Sequence, residues 1–157
     1  MAQENSSLIR RWFEEVWNKG RMEAIDEMAS PDVVGHGQAQ HATDIGLKEF
    51  KPFVRALRSA FPDMKVNIDY VIEQGDKVVA RWTSTMTHKG EFLGFAPTGK
   101  KVTVTGTTTQ RISGGKIVEG WDNWDQLGAF AQLGEMSRVQ LALSAVAMSE
   151  GEQRKSA

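Results

Sequence analysis

Residues 65–76, KVNIDYVIEQGD, are where the hydrophobic pattern of this chain changes its period. Apolar side chains occupy every second position of the stretch, which is typical of a β-strand with one buried face. These positions are Val66, Ile68, Tyr70 and Ile72. Residues 74–76 then predict a hairpin turn. Because the chain before this stretch has helical spacing and most of the chain after it alternates, the stretch separates a helical half from a strand half.

Three more strands are expected after this turn. They cover residues 78–88, residues 101–112 and the short run that follows the glycine pair at 114–115. The loop 89–100 separates the first two and carries three large apolar side chains, which we interpret as a hydrophobic lid or as a subunit contact. They are Phe92, Leu93 and Phe95.

The chain before the alternating stretch carries helical spacing. Ser6 or Ser7 is expected to cap a first helix, whose apolar residues recur at intervals of three and four. Those residues are Leu8, Ile9, Trp12, Phe13, Val16 and Trp17. A short second helix is expected over residues 21–29, with Pro31 breaking it, and a short strand over residues 33–36.

A third helix is expected to begin near Asp44 and to end at the Phe61-Pro62 pair. Pro52 lies within it, and proline has no backbone amide hydrogen to donate to the preceding turn. The helix must therefore start late, so that Pro52 lies in its first turns, or bend at Pro52.

Helices followed by antiparallel strands predict an α+β domain. We expect a curved sheet of four or five long strands, wrapped around the first and third helices as a cone with an open mouth. The cone is assigned to residues 1–134, and residues 135–157 to a helical extension with a frayed tail. The final helical pattern covers residues 126–148 and is interrupted at Gly134. The outer sheet face and the apolar side of the extension predict a homodimer.

The composition narrows the classes of function. A chain of 157 residues with 40% hydrophobic residues and no cysteine is an ordinary globular chain that has no disulfide, thiolate metal site or cysteine nucleophile. A formal net charge of −1 argues against nucleic-acid binding. No signal peptide and no membrane-spanning apolar run is visible, so we expect a cytoplasmic protein that binds neither membrane nor nucleic acid.

Residues 114–125, GGKIVEGWDNWD, carry the chemistry that stands out most. Asp122 lies between two tryptophans on a strand, where aspartate is uncommon. Strand alternation puts Asp122 on the same face as Gly120 and Trp124, and Trp121 on the opposite face. If the first face looks into the cone, Asp122 lines the cavity; if the second does, Trp121 lines it and Asp122 is exposed on the surface. Burial inside the cone would raise the pKa of the Asp122 carboxyl toward acid–base use. Asp125 is expected to cap the following helix.

Five motifs together resemble one known family. They are LRSAFPD at 57–63, VVARWT at 78–83, THKGEFLG at 87–94, PTGK at 97–100 and GKIVEGWD at 115–122. The chain resembles the SnoaL-like polyketide cyclase (ester cyclase) family, within the nuclear transport factor 2-like superfamily, from about residue 7 to residue 133.

This resemblance implies an α+β cone of the nuclear transport factor 2-like or cystatin-like type, with a site inside it that needs neither cofactor nor metal. In that family an aspartate on the last long strand moves protons during an intramolecular aldol ring closure, and the position that looks equivalent is Asp122. Neighbouring polar positions of those enzymes, some occupied by histidine, correspond to Thr108, Gln110 and Gly120, none of which is histidine.

Further site candidates come from residue type and position. His88, at a strand end, is expected to bind a ligand or to hold a loop carbonyl, and His36 to be either a pocket residue at the rim or a solvated loop residue. Arg81 needs an outward face or a carboxylate partner. Candidate partners are Asp122, Glu119 and Asp69. Trp12 and Phe53 are core residues by spacing that can also form cavity wall.

The three histidines are too scattered for a metal site, and His41 is expected to be exposed to solvent. Three functions stay open on these grounds. The first is a cofactor-independent cyclase or isomerase that acts on a small apolar carbonyl substrate through Asp122, with His88 or Gln110 stabilising the enolate. The second is an epoxide or ester hydrolase that activates water in the same cavity, and the third is a binding module without catalysis.

Overall fold

The computed structural model describes residues 2–37 and 44–137. These residues fold as a curved, unclosed five-stranded sheet with helices packed against it, which confirms the predicted α+β cone. In chain order the elements are α1 (Ala2–Trp12), α2 (Met22–Met28), β1 (Ala29–His36), α3 (Leu47–Ala60), β2 (Lys65–Gln74), β3 (Lys77–Thr87), β4 (Lys101–Ser113), β5 (Lys116–Trp124) and α4 (Gln126–Leu133).

The strand order is β1-β5-β4-β3-β2. The three hairpin-like pairs are antiparallel, and β1 pairs with β5 in parallel. The strand β1 begins four residues earlier than predicted and runs through Pro31. Proline is tolerated there because β1 is an edge strand, and Pro31 lies in the irregular stretch between its pairings at Ala29 and Val34.

The first helix starts at Ala2, so the predicted cap at Ser6 or Ser7 is wrong. Ser6 lies inside α1, where its backbone N–H and its hydroxyl both donate to Glu73 Oε2, at 3.0 and 2.5 Å, and tie the helix to β2. After α1 the chain widens into one π-helical turn, Phe13–Asn18. Such turns are rare in proteins and are often found beside functional sites.

The helix α3 starts late, at Leu47, which is one of the two solutions that Pro52 allows. Glu49 accepts a hydrogen bond from the Gly46 backbone N–H at 3.1 Å and so satisfies an amide at the helix start. The helix ends at Ala60, directly before the Phe61-Pro62 pair, as predicted.

The alternation of the opening stretch does not hold along the whole of β2. A bulge between Ile68 and Tyr70 shifts the register against β3. Beyond the bulge, Val71 turns toward the core while Tyr70 and Ile72 are 53% and 59% exposed. A single inserted residue reverses the face of every later side chain, so the four apolar residues do not share one buried face.

The core lies between the concave face of the sheet and the helices α1 and α3. Even-numbered residues of β3 and β4 point into this core. Examples are Val78, Ala80, Met86, Val102 and Val104. A residue of a neighbouring strand that pairs with one of them points to the same face of the sheet.

The predicted helix break at Gly134 is confirmed, because α4 ends at Leu133 and Gly134 adopts a left-handed conformation with φ 86°. Asp125 caps this helix as expected, accepting a 2.8 Å hydrogen bond from the Gly128 backbone N–H. Most of the predicted extension lies outside the described residues, as does His41. In residues 2–37 and 44–137 no helix is long and apolar enough to cross a membrane.

Candidate active site on the concave face of the sheet

A cavity of about 610 Å³, counting its open mouth, lies between the π-helical turn, α3 and the concave face of the sheet. We call it the aromatic cavity because indole and phenyl rings form much of its wall. These rings belong to Phe13, Trp17, Phe53, Trp82 and Trp124. Its polar lining is confined to Ser84, Thr108, Asp122 and the edges of the indoles.

A second cavity of about 400 Å³, again counting its open mouth, lies toward β1, and we call it the edge cavity. Trp12 and Phe50 stack on each other in its wall, with ring centroids 5.6 Å apart. Gln110 and Gly120 line its sheet side. The aromatic cavity and the edge cavity have two lining residues in common, Thr108 and Asp122. Asp122 therefore lies where the two cavities meet.

Strand register sets the surroundings of Asp122. It lies directly opposite Thr108 in the β4–β5 pairing, and the Thr108 hydroxyl donates a hydrogen bond to Asp122 Oδ1. The same hydroxyl accepts a 3.0 Å hydrogen bond from the indole Nε1 of Trp82 on β3. Three neighbouring strands thus contribute one side chain each to a chain of hydrogen bonds that orients the carboxyl group.

The indole of Trp82 reaches Thr108 by lying over Gly106 of β4. A Cβ atom on Gly106 would lie 2.2 Å from Cζ2 of Trp82, far inside any normal contact distance. Gly106 is therefore required for the position of the indole, and through it for the hydrogen bond to Thr108.

Two buried polar atoms of cavity-lining residues have no hydrogen-bond partner among the described residues. They are the hydroxyl of Ser84, which lines the aromatic cavity, and Oε1 of Gln110, which lines the edge cavity. Both residues are only 3% exposed. Native structures rarely leave such atoms unpaired, so each needs an explanation.

Several residues chosen from the sequence do line the cavities. Asp122, Phe53 and Trp124 line the aromatic cavity, Trp12 and Gln110 line the edge cavity, and Thr108 lines both. Trp82 and Ser84 also line the aromatic cavity, although neither was predicted as a site residue. Counting alternate residues from the buried Val78 places both on the inner face of β3, so the signal was present in the sequence.

His36 does not enter either cavity. It lies on the outer side of the sheet, stacked on Trp121 with ring centroids 5.2 Å apart. Its Nδ1 lies 2.5 Å from Asp44 Oδ1 and its Nε2 lies 3.0 Å from Glu119 Oε1. The hydrogen bond with Glu119 is the main cause that raises the pKa of His36, and Asp44 adds to it. His36 is thus neither a pocket residue nor a free loop residue.

His88 is fully buried but lines neither cavity. It stacks on Phe61 with centroids 5.1 Å apart, and its Nδ1 accepts a 3.3 Å hydrogen bond from the Thr98 backbone N–H. Burial lowers the pKa of the His88 imidazole, which favours the neutral ring. The residue therefore holds the loop after β3, by accepting a hydrogen bond from the Thr98 backbone N–H. A backbone hydrogen bond with Gly90 partly offsets the lowering of the His88 pKa, in line with the expected loop-carbonyl contact.

Arg81 lies on the outer face, because its neighbours Ala80 and Trp82 point to the core. An ion pair between Arg81 and Asp122 is therefore excluded, because the two side chains lie on opposite faces of the sheet. Glu119 is paired with Arg111 at 3.0 Å and with His36 instead. The Asp69 carboxylate accepts a 3.0 Å hydrogen bond from Thr83.

Comparison with known proteins identifies the family of this chain and several relatives. The profile of the SnoaL-like polyketide cyclase family matches residues 7–133. The nogalonic acid methyl ester cyclase of Streptomyces nogalater is 28% identical over 120 residues, which is 76% of this chain and 90% of that protein. The aklanonic acid methyl ester cyclase of Streptomyces peucetius is 30% identical over 131 residues, covering 82% of this chain and 89% of that protein.

Solved structures show the same fold. AclR from Streptomyces galilaeus, a proposed hydroxylase, superposes with a TM-score of 0.76 at 27% identity, over 86% of this chain and 87% of its own. IdmH from Streptomyces antibioticus, a proposed polyketide cyclase, gives a TM-score of 0.72 at 32% identity, over 82% and 97%. With a family profile that spans most of its length, this chain belongs to the SnoaL-like polyketide cyclase family.

Proposed function

We propose that this protein closes a ring in a small apolar carbonyl substrate by an aldol-type reaction, with Asp122 as general acid and base. The observation that carries the proposal is the place of Asp122, where the aromatic and edge cavities meet, with its carboxyl group oriented by Thr108. Among the residues that line the two cavities in the described chain, Asp122 is the one with an ionisable side chain.

The reaction needs one proton to be removed and one to be returned. The Asp122 carboxylate takes a proton from the carbon next to a substrate carbonyl, which leaves an enolate. The enolate carbon forms a bond to a second carbonyl carbon of the same molecule, and the electron pair of that C=O bond moves to its oxygen. The alkoxide takes the proton back from Asp122 as a hydroxyl. Substrate and product are isomers, and the enzyme returns to its starting state.

The cavities support an uncharged substrate. No lysine, arginine or histidine is found among the lining residues of the described chain, while Asp122 supplies negative charge when ionised. A free carboxylate in this place would lose its hydration without gaining a cation. Methyl esters, the substrates named for both curated relatives, avoid that penalty. We therefore propose a methyl ester of an apolar polyketide as the substrate class.

Turnover of nogalonic acid methyl ester and aklanonic acid methyl ester, followed by mass spectrometry in ¹⁸O-labelled water, tests the proposal. Ring closure leaves the mass unchanged and incorporates no label. A product that carries labelled oxygen would indicate the hydrolytic alternative, and binding without any chemical change would indicate a binding module. Either result overturns the cyclase proposal.

Asp122→Asn is the decisive variant, because an amide oxygen can still accept the Thr108 hydrogen bond while the amide cannot act as a base. We expect a loss of about 10²–10⁴-fold in kcat with little change in melting temperature. Asp69→Asn is the matched control. It is also a strand aspartate that accepts a threonine hydrogen bond, but it lies exposed, away from both cavities. Equal turnover by Asp122→Asn and Asp69→Asn would refute the role of Asp122.

A further inference from the structure

Ser84 and Gln110 lie on either side of Asp122 along the sheet. Ser84 pairs with Val104, which is four residues before Thr108 on β4, and Gln110 is two residues after Thr108. At about 3.3 Å per residue, these steps correspond to about 13 Å and about 7 Å along the strand. The backbone positions of Ser84 and Gln110 are thus about 20 Å apart along the strand direction, with the Asp122–Thr108 pair between them.

The two atoms differ in what they can bind. The Ser84 hydroxyl can donate a hydrogen bond to a carbonyl oxygen or accept one from a hydroxyl group, whereas Gln110 Oε1 can only accept. A ligand that pairs with both therefore needs a hydroxyl group at the Gln110 end and either a hydroxyl or a carbonyl oxygen at the Ser84 end.

The walls between these ends suit flat rings. Aromatic side chains surround Ser84 in the aromatic cavity, where a ring system can stack. Beside Gln110, a Cβ atom on Gly120 would meet only the Thr109 carbonyl oxygen, at 3.9 Å, so the missing side chain leaves open space on that side of the edge cavity.

We propose that Ser84 and Gln110 are specificity-determining residues that bind oxygen substituents at the two ends of an elongated, fused-ring substrate, and so place its reacting carbon at Asp122. This inference rests on the proposed function for the identity of the reacting group, but not for the binding itself. It accounts for both unpaired atoms, since each gains its hydrogen bond when the ligand is bound.

Binding of three simple probes to the Asp122→Asn protein tests this proposal without any need for turnover. The probes are the four-ring quinone tetracene-5,12-dione, its 2-hydroxy derivative and its 2,8-dihydroxy derivative, which carry a hydroxyl group at neither end, one end and both ends. We expect affinity measured by calorimetry to rise along this series by about 5–10-fold per hydroxyl group. Ser84→Ala and Gln110→Leu, added singly, should each remove one step, and added together should make the three affinities equal.

Without ligand, each substitution removes an unpaired buried polar atom, so the melting temperature should stay level or rise by about 2–4 °C. Ser113→Ala, an exposed serine at the end of β4, is the control and should leave both the series and the melting temperature unchanged. Equal weakening of all three probes by the cavity variants would indicate a general packing effect and overturn the proposal. An unchanged series in the variants, or no binding of any probe, would overturn it as well. A protein that passes this test yet converts neither methyl ester would contradict only the proposed function.

Discussion

Gly106→Ala is expected to damage the site from a position that no substrate needs to touch. The new Cβ atom would lie 2.2, 2.6 and 2.7 Å from Cζ2, Cη2 and Cε2 of Trp82. Because carbon atoms in contact are normally about 3.5 Å apart, the indole must move by roughly 1.3 Å. Its Nε1 donates to Thr108 at 3.0 Å, and a shift of this size breaks that hydrogen bond.

Two effects determine how much stability Gly106→Ala costs. Overpacking of a buried site destabilises by about 1–3 kcal/mol, and the lost hydrogen bond adds about 0.5–1.5 kcal/mol. For a chain of this length, the sum lowers the melting temperature by about 5–15 °C. Thr108 is then released from Trp82 and no longer orients Asp122. A displacement of about 1 Å at a catalytic group can reduce kcat by about 10²-fold.

A double-variant cycle shows whether Gly106→Ala acts through Trp82. Kinetics on a methyl ester substrate should give a similar loss for Gly106→Ala and for Trp82→Phe, which lacks the indole N–H. The double variant should be no worse than the worse single variant. Losses that multiply would refute the reasoning, because they would indicate two independent effects. Gly120→Ala serves as the control for folding, since its Cβ atom meets nothing closer than 3.9 Å and the melting temperature should hold.

Two further predictions concern stability. Asp125→Ala removes the side-chain acceptor of the Gly128 N–H and should cost about 1 kcal/mol, lowering the melting temperature by about 2–4 °C in a thermal scan. His36→Gln should lower stability most at about pH 5.5–6, where the imidazole is charged beside Glu119 and Asp44 in the folded protein. In urea titrations the difference from the parent protein should become smaller at high pH, where only the stacking on Trp121 is lost.

The sign of the pH effect follows from the raised pKa of His36. Its stabilisation is complete below the unfolded pKa of about 6.5 and is lost as the pH rises through the higher folded pKa. His88 acts in the opposite direction, because its pKa is lowered by burial and the unfolded chain gains a proton first as the pH falls. The difference between parent and variant isolates His36, and a difference that grows with pH would contradict the assignment. For the separate Asp125→Ala prediction, the control is Gln126→Ala, which changes an exposed neighbour of the helix cap and should leave the melting temperature unchanged.

Periodicity was enough to predict most of the fold, because helices and strands bury their apolar residues at different spacings. Periodicity failed where one inserted residue shifts the alternation of a strand. The bulge in β2 turned Tyr70 and Ile72 outward, and no local signal in KVNIDYVIEQGD marks it. Pro31 looked like a helix breaker with no strand role, since the sequence does not tell that β1 is an edge strand.

The structure places Asp122, Thr108 and Gln110 on the concave face of adjacent strands. The family resemblance had implied the last two positions, whereas strand alternation left two orientations open for Asp122. The positions of the two histidines, His36 and His88, depend instead on contacts with distant parts of the chain. His36 pairs with Glu119 across 83 positions of the chain, through a parallel pairing that the sequence does not announce. His88 follows the inward alternation of β3, but the loop after β3 covers it before it reaches a cavity.

The registers of β3, β4 and β5 explain why the site can tolerate irregularity elsewhere in the sheet. The Trp82–Thr108–Asp122 chain needs three side chains on one face of three strands, and a slip of one residue in β4 would turn Thr108 to the outer face. The two bulges next to these strands, in β2 and after Arg111 of β4, lie outside the segment that carries the chain of hydrogen bonds. The proposed chemistry thus depends on the regular centre of the sheet, while its irregular parts shape the edges.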